Sequence, residues 1–201
     1  MLTLPIKDNN HSEVFTEALR ILESGGIVAY STESFYALGV IATDGDAVRK
    51  LFDLKKRPPE KPLPIIVGSM DMLGSILKSI PEQANNLMDR FWPGPLTLIF
   101  EGLDSIPGLL TGGTGKVAVR VPGESAALCL AEGIKIPLTA TSANPSSLPP
   151  AEDPDAVINY FGDKVDLIID AGKAPGGKPS TIIDVTVNPP KILREGRIIP
   201  G

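Results

Sequence analysis

The stretch Lys55-Lys56-Arg57-Pro58-Pro59-Glu60-Lys61-Pro62 places four cations and three prolines in eight consecutive residues. It follows residues 46–54, whose apolar side chains recur at helical spacing, and it precedes the apolar run 63–67. Because proline fixes φ and donates no N–H, the helix must end here and the connection to the next strand is stiff. The sequence therefore predicts a rigid basic loop. Such a loop either binds an anion or is a solvated connection whose lysines complement the helix dipole.

The composition of the 201-residue chain is typical of a globular domain, with 42% hydrophobic and 21% charged residues. A net charge of −5 argues against broad nonspecific binding of nucleic acid but allows a local basic cleft. The N-terminus shows no signal-peptide pattern, and no segment approaches eighteen apolar residues. We therefore expect one cytoplasmic domain over residues 1–201, with no membrane contact.

A single cysteine, Cys129, and a single histidine, His11, limit the chemistry that the chain can perform. One cysteine excludes an internal disulfide and a cysteine-based zinc site, and one histidine makes a histidine-based triad hard to build. We expect Cys129 to be a small core residue and His11 to lie at the surface. The remaining chemistry is that of cations, hydroxyls, amides and carboxylates.

Short apolar runs alternate irregularly with segments of helical spacing along the chain. Two late runs, 180–187 and 191–194, predict paired strands, and Val117, Val119 and Val121 alternate with polar residues as in a half-buried strand. This pattern favours one α/β domain with a mixed sheet. The other predicted helices are 13–24, 70–77, 81–91, 125–132 and 153–161, and the other predicted strands are 3–6, 27–30, 38–41, 96–100, 137–140 and 165–169.

Three predicted strands are bordered by loops rich in hydroxyls or cations, at residues 31–34, 55–61 and 141–147. Ligands of open α/β sheets collect at strand ends of this kind. Each loop also has a structural interpretation: residues 31–34 could cap a turn, and residues 141–144 could cap the following helix. Together they offer the groups that bind a polyanion and a small zwitterion, which suits phosphoryl or nucleotidyl transfer. The glycine-rich turn 112–116 lacks the spacing of a P-loop.

Seven short motifs occur in one order between residues 55 and 196: Lys55-x-Arg57-Pro58, Lys61-Pro62-Leu63, Pro93-Gly94-Pro95-x-Thr97, Arg120-x-Pro122, Thr141-Ser142-Ala143-Asn144, Ser180-Thr181 and Arg194-Glu195-Gly196. With them, the chain from about residue 25 to residue 196 resembles the YrdC-like family, the threonylcarbamoyl-AMP synthases. The resemblance implies a YrdC-like fold, in which a twisted mixed sheet lines a concave, positively charged cleft. It also implies that L-threonine, bicarbonate and ATP give threonylcarbamoyl-AMP and pyrophosphate, and that partner machinery transfers the threonylcarbamoyl group to an adenosine of tRNA.

The resemblance also assigns the site residues by position. The chain departs from the family pattern at residues 31–34, which read Ser-Thr-Glu-Ser instead of Pro-Thr-Asp-Thr, and at residues 146–147, which read Ser-Ser instead of Ser-Gly. We expect Mg²⁺ to arrive with ATP, held by phosphates and water, with Glu33 as the nearest protein candidate. The catalytic candidates are Lys55, Arg57, Ser142 and Asn144, and the substrate-binding candidates are Thr32, Lys61, Arg120, Ser180 and Arg194.

Two other functions compete with the synthase. One is a non-catalytic module of the same fold that binds RNA, including double-stranded RNA; the net charge of −5 and the 5% aromatic content argue against it. The other is a paralogue that has lost synthase activity. The sequence 36–39, Tyr-Ala-Leu-Gly in place of the usual Tyr-Gly-Leu, slightly favours a paralogue, whereas the intact motifs around Lys55 and Ser142 favour the enzyme.

Overall fold

The computed structural model describes residues 1–7 and 9–199. In this part of the chain eleven strands form two mixed sheets, accompanied by six α-helices and two short 3₁₀ segments. The α/β class predicted from the sequence is confirmed, although the strands divide between two sheets where one was expected. The helices are α1 (His11–Glu23), α2 (Gly45–Lys55), α3 (Glu82–Phe91), α4 (Gly108–Thr111), α5 (Ala126–Ile134) and α6 (Pro154–Phe161). The strands are β1 (Leu2–Pro5), β2 (Val28–Ser31), β3 (Tyr36–Gly39), β4 (Ile65–Ile66), β5 (Leu96–Glu101), β6 (Lys116–Arg120), β7 (Leu138–Thr139), β8 (Thr141–Ser142), β9 (Leu167–Asp170), β10 (Thr181–Asp184) and β11 (Lys191–Arg194).

The first sheet has the strand order β1-β9-β2-β3-β8. Strand β9 pairs in parallel with both β1 and β2, whereas β3 pairs antiparallel with β2 and β8. Successive side chains of β2 enter different core clusters: Val28 and Tyr30 pack with the apolar faces of α1 and α5, and Ala29 packs in the larger cluster on the other side. The inner strands β9, β2 and β3 are therefore buried on both faces, which explains their continuous apolar sequences, whereas the edge strand β1 is mostly exposed.

The second sheet has the strand order β11-β10-β5-β6-β4-β7. Strand β5 pairs in parallel with β10 and antiparallel with β6, and β10 pairs antiparallel with β11 as the sequence predicted. These directions bring the start of β5, the end of β6, the start of β10 and the end of β11 to one edge of the sheet. Val117 and Val119 of β6 are fully buried, which confirms the predicted alternation.

One segment, residues 138–142, belongs to both sheets, and we call it the crossing segment. Its first part, β7, pairs with β4 in the second sheet, and its last part, β8, pairs with β3 in the first, with one residue between them. The Tyr30 hydroxyl donates to the Thr139 carbonyl at 2.6 Å in the buried interior. At Gly39 a Cβ atom would lie 2.7 Å from the Tyr30 ring and 2.8 Å from the Thr139 oxygen, so only glycine fits this contact.

Helix α2 delivers the basic loop. It starts where the Asp44 carboxylate accepts from two backbone N–H groups, and its predicted apolar face, Val48, Leu51 and Phe52, is buried. It ends in the left-handed conformation at Lys56, with φ of 49°. Lys55, the last residue of the helix, is itself buried, in contrast to the exposed position that a solvated loop would give it.

Some predicted elements differ from the structure. Residues 70–77 form a 3₁₀ segment over Met70–Ser75 instead of an α-helix, and this stretch contains a glycine at its fifth position. Helix α1 begins at His11, two residues before the predicted start, and Asn10 before it makes no side-chain cap bond. Helix α4 was not predicted because a single turn between Pro107 and Gly112 carries no periodic pattern.

The cap of helix α6 and the burial of Cys129 also differ from what the sequence suggested. The Asp153 side chain caps helix α6, so residues 141–144 do not cap it. Cys129 is half-buried instead of being a core residue.

Among residues 1–7 and 9–199, no helix has both the length and the apolar character that crossing a bilayer requires.

Gly68 provides a test of the packing between the second sheet and α5. A Cβ atom there would lie 2.6–2.7 Å from backbone atoms of Ala131 and Glu132, whereas at Gly74 it would meet open space. We therefore expect Gly68→Ala to lower the free energy of unfolding by about 1–3 kcal/mol, and Gly74→Ala to change it by less than about 0.5 kcal/mol. Urea denaturation of the two variants measures both values, and equal stabilities would contradict the packing described.

Candidate active site

A cavity of about 490 Å³ is lined by residues from both sheets, at the edge where β5 and β10 begin and β6 and β11 end. Its size is that of a small-molecule site. Six of the nine predicted site residues line it, and three do not. The lining residues are Thr32, Arg57, Arg120, Ser142, Ser180 and Arg194; Lys55, Lys61 and Asn144 lie outside the lining.

The Arg57 guanidinium is oriented by its own loop. Its Nε donates to the Lys61 carbonyl at 3.0 Å and its Nη2 donates to the Pro62 carbonyl at 3.0 Å. Burial lowers the pKa of Arg57. The prolines thus hold carbonyl groups at fixed positions, and these carbonyls aim the guanidinium, whose other N–H groups remain available.

Arg194 at the end of β11 is oriented in the same way. Its Nε and Nη2 donate to the Ser180 carbonyl at 3.1 and 2.8 Å, and Nη2 also donates to the Ser180 hydroxyl at 3.1 Å. That hydroxyl lies 2.8 Å from the hydroxyl of Thr97 on β5. Burial, followed by the nearby charge of Arg120, lowers the pKa of Arg194. One wall of the cavity is therefore a connected network of Arg194, Ser180 and Thr97.

Arg120 pairs with a carboxylate. Its Nη1 donates to Glu33 Oε1, and the two side chains are only 11% and 12% exposed. The other Glu33 oxygen, Oε2, is buried and has no hydrogen-bond partner among the described residues. The Glu33 carbonyl accepts from Arg197 Nη1 at 2.7 Å, which ties this turn to the residues after β11.

Glu33, the nearest candidate that the sequence offered for a magnesium ligand, uses one carboxylate oxygen to pair with Arg120, and its other oxygen is buried. Within residues 1–7 and 9–199 no three acidic, histidine or cysteine side chains cluster in a way that could hold a metal ion. The residues present therefore do not fit a metal ion held by the protein, and an ion that accompanies a nucleotide would take its ligands from phosphates and water.

The Thr32 hydroxyl organises the turn after β2. It accepts from the backbone N–H groups of Ser34 and Phe35 at 3.1 and 3.2 Å and donates to the Phe35 carbonyl at 2.8 Å. The structural interpretation of residues 31–34 as a capped turn therefore holds. Thr32 still lines the cavity, but its hydroxyl is already used by the backbone.

Lys55 is buried in the protein and does not line the cavity. Only 3% of the residue is exposed, and its Nζ donates to the carbonyl oxygens of Ser142 and Asn144, the latter at 2.7 Å. In the opposite direction, the Ser146 hydroxyl donates to the Lys55 carbonyl at 3.0 Å. Burial, with the charge of Arg57 as the second cause, lowers the pKa of Lys55 to about 7.

The amide of Asn144 is used within its own loop. Its Nδ2 donates to the carbonyls of Pro145 and Leu148 at 3.1 and 2.6 Å, and its Oδ1 accepts from the Ser142 hydroxyl at 2.5 Å. Ser142 is exposed to the cavity. Lys61 is exposed at the surface and does not line the cavity. Its backbone carbonyl contributes to the site by orienting Arg57.

Sequence reasoning omitted several lining residues from the candidate site, among them Thr97, Phe35, Tyr36 and Thr141. Thr97 is only 2% exposed although it is polar, and it belongs to the Pro-Gly-Pro-x-Thr motif, so its position in an apolar strand was a usable signal. The Tyr36 hydroxyl donates to the Gly172 carbonyl at 2.8 Å, a contact that no local pattern indicates.

The fold and the cavity define an α/β protein with a cavity at the strand ends, lined in part by arginines and hydroxyls. The family model of Sua5/YciO/YrdC, which carries the description "Telomere recombination", matches residues 20–196. The chain therefore belongs to the Sua5/YciO/YrdC family, as its motifs predicted.

Individual relatives agree with this assignment. A threonylcarbamoyl-AMP synthase of Pyrococcus abyssi is 42% identical over 179 residues, covering 89% of this chain and 53% of that protein. The synthase of Vibrio parahaemolyticus is 35% identical, covering 90% of this chain and 98% of that protein. The crystal structure of P. abyssi Sua5 complexed with L-threonine matches with a TM-score of 0.90 and 38% identity, covering 97% of this chain and 57% of that one. The chain thus spans about half the length of the Pyrococcus protein and nearly all of the Vibrio protein.

The buried Lys55 predicts a specific dependence of stability on pH. Its pKa is about 7 in the folded protein and about 10.4 in an unfolded chain. Between these values only the unfolded state binds the proton, so stability should rise with pH, by up to about 1.4 kcal/mol per pH unit from this group. Urea denaturation from pH 6 to 10.5, with Lys55→Met as the reference that lacks the titrating amine, measures the difference. Parallel pH profiles of the two proteins would contradict the lowered pKa.

Proposed function

We propose that the chain synthesises threonylcarbamoyl-AMP and pyrophosphate from L-threonine, bicarbonate and ATP, for the modification of adenosine in tRNA. The observation that carries the proposal is a cavity lined by Arg57, Arg120 and Arg194, each held by an acceptor of the protein. Guanidinium groups fixed in this way suit carboxylate and phosphate groups. The names of the relatives, and the L-threonine bound in the related Pyrococcus structure, support the same activity.

The reaction accumulates negative charge in two steps. First the threonine ammonium loses a proton, and its nitrogen attacks the carbon of bicarbonate, which loses water to give a carbamate. A carbamate oxygen then attacks the α-phosphorus of ATP, the bond from that phosphorus to the bridging oxygen breaks, and pyrophosphate leaves. Nearby cations favour the neutral amine before the first step and offset the charge of the carbamate, the α-phosphate and the leaving group.

Each group of the cavity has a proposed role in these steps. We assign the carboxylate and phosphate contacts to Arg57, Arg120 and Arg194, and the hydroxyl contacts with the amino acid to Ser142 and Ser180. Positioning and charge neutralisation are sufficient for nucleotidyl transfer, so a site without a histidine is adequate. A concave, positively charged surface, a single domain over residues 1–201, a cytoplasmic location and delivery to a tRNA-modifying machinery remain predictions of the same proposal.

A direct assay tests the function. The purified protein is incubated with ATP and magnesium, and pyrophosphate release is measured with and without L-threonine and bicarbonate. We expect release only when both are present, together with a product that has the mass of threonylcarbamoyl-AMP. An RNA-binding module, including one for double-stranded RNA, or a paralogue without synthase activity, would release no pyrophosphate. Either of these alternatives would then replace the proposal.

Arg120 should not tolerate lysine. One N–H of its guanidinium donates to Glu33, and the remaining N–H groups keep the planar geometry that binds a carboxylate or phosphate through two parallel bonds, which a lysine ammonium cannot copy. We expect Arg120→Lys to weaken the binding of ATP or of L-threonine at least tenfold although the charge is kept. Isothermal titration with each ligand measures this, with Arg49→Lys on the exposed surface of α2 as the control. Unchanged affinity for both ligands would show that Arg120 only balances Glu33.

The amino-acid specificity follows from the hydroxyls of the cavity. A site that hydrogen-bonds the threonine hydroxyl rejects valine strongly, because buried polar groups would be left unpaired. Serine lacks only a methyl group and should lose about 1–3 kcal/mol of transition-state binding. We expect the order threonine, serine, valine in kcat/KM, measured by pyrophosphate release. Equal values for threonine and valine would contradict a hydroxyl-reading site.

A further inference from the structure

The four residues that the sequence groups as catalytic divide into two pairs in the structure. Arg57 and Ser142 line the cavity, whereas Lys55 and Asn144 do not. A cation neutralises a reacting phosphate most effectively when it contacts that phosphate. Lys55 is only 3% exposed, and its amine donates to two backbone carbonyls. Two of its N–H groups are therefore directed at the protein and not at the reactants.

Lys55 and the loop that follows β8 are joined by three hydrogen bonds. The amine donates to the carbonyls of Ser142 and Asn144, and the Ser146 hydroxyl donates back to the Lys55 carbonyl. An amine carries two N–H groups when neutral and three when charged, so both carbonyls can be satisfied in either state. The last residue of α2 thus holds the loop at three points.

The loop depends on such ties because its backbone is strained. Ser147 has φ of 80°, in the left-handed region that residues other than glycine rarely adopt. A conformation of this kind persists only where the surroundings determine it. Asn144 contributes from inside the loop, where its side chain bonds to the carbonyls of Pro145 and Leu148 and to the Ser142 hydroxyl.

We infer that Lys55 is a positioning residue: it fixes the loop 142–148 so that the Ser142 hydroxyl faces the cavity, and it does not contact the reactants. Asn144 performs the same task from within the loop. The effect on catalysis rests on the proposed function, whereas the effect on the loop does not. The inference is therefore tested by one measurement that is independent of activity and one that uses it.

The independent measurement is hydrogen exchange of peptides that cover residues 142–151. Two amides report on the loop: Leu148 N–H donates to Pro145, and Ala151 N–H donates to Ala143. We expect at least tenfold faster exchange of these amides in Lys55→Met. The control is Arg49→Met, on the exposed surface of the same helix, which should leave them unchanged. Unchanged exchange in Lys55→Met would overturn the inference even if the protein has no synthase activity.

Ser146→Ala provides a second variant, because Lys55→Met could fold poorly. It removes one of the three ties and leaves the buried amine in place. We expect faster exchange in the same peptides and no change elsewhere in the sheets. Exchange that rises uniformly over the whole protein would indicate general destabilisation and would also overturn the inference.

The measurement that uses activity is a double-mutant cycle between Lys55→Met and Ser142→Ala. If Lys55 acts by presenting the Ser142 hydroxyl, the double variant should have a rate of pyrophosphate release within about threefold of Ser142→Ala alone. If Lys55 contacts the reactants itself, the two losses multiply, and that outcome would overturn the inference. Wild-type protein without activity would refute the proposed function, while the exchange data would still decide the role of Lys55.

Discussion

The structure depends on the crossing segment, in which residues 138–142 serve two sheets in succession. Strand β7 ends and strand β8 begins with only Ala140 between them, so an edge of one sheet is fixed against an edge of the other. The buried Tyr30 hydroxyl holds the Thr139 carbonyl, and burial raises the pKa of Tyr30, which keeps the phenol a donor. Because both sheets are fixed at this segment, polar residues from distant parts of the sequence face one cavity.

The cations of this cavity are aimed before any ligand arrives. Carbonyl groups of the proline-rich loop hold Arg57, the Ser180 carbonyl and hydroxyl hold Arg194, and Glu33 holds Arg120. Neutral acceptors orient a guanidinium without cancelling its charge, whereas Glu33 offsets that of Arg120. The cavity therefore has three fixed guanidinium groups, and the charge of one of them is partly offset by a carboxylate. Fixed charges of this kind stabilise the charge that develops in a transition state.

The parts of the fold and of the cavity that depend on residues close together in the chain could be predicted from the sequence, and those that depend on distant residues could not. Most of the elements and the pairing of β10 with β11 follow from local patterns, although α4 does not, and the resemblance identified the family and six of the cavity residues. The inward direction of Lys55 could not be predicted, because a residue at the end of a helix faces the core or the solvent according to how the helix is rotated against the sheet. The contribution of Thr97 and the division into two sheets depend on pairings between strands that are far apart in the chain.

The position of β11 has a consequence for how the protein is made. Arg194 completes one wall of the cavity. Shortly after it, Gly196 packs so closely on residues 179–181 that a Cβ would lie 2.4 Å from their backbone. A nascent chain that has emerged from the ribosome only as far as Ser180 holds the other cavity arginines but lacks this wall. Since a domain folds as a unit, the cavity is complete only after β11 has been synthesised and has paired with β10.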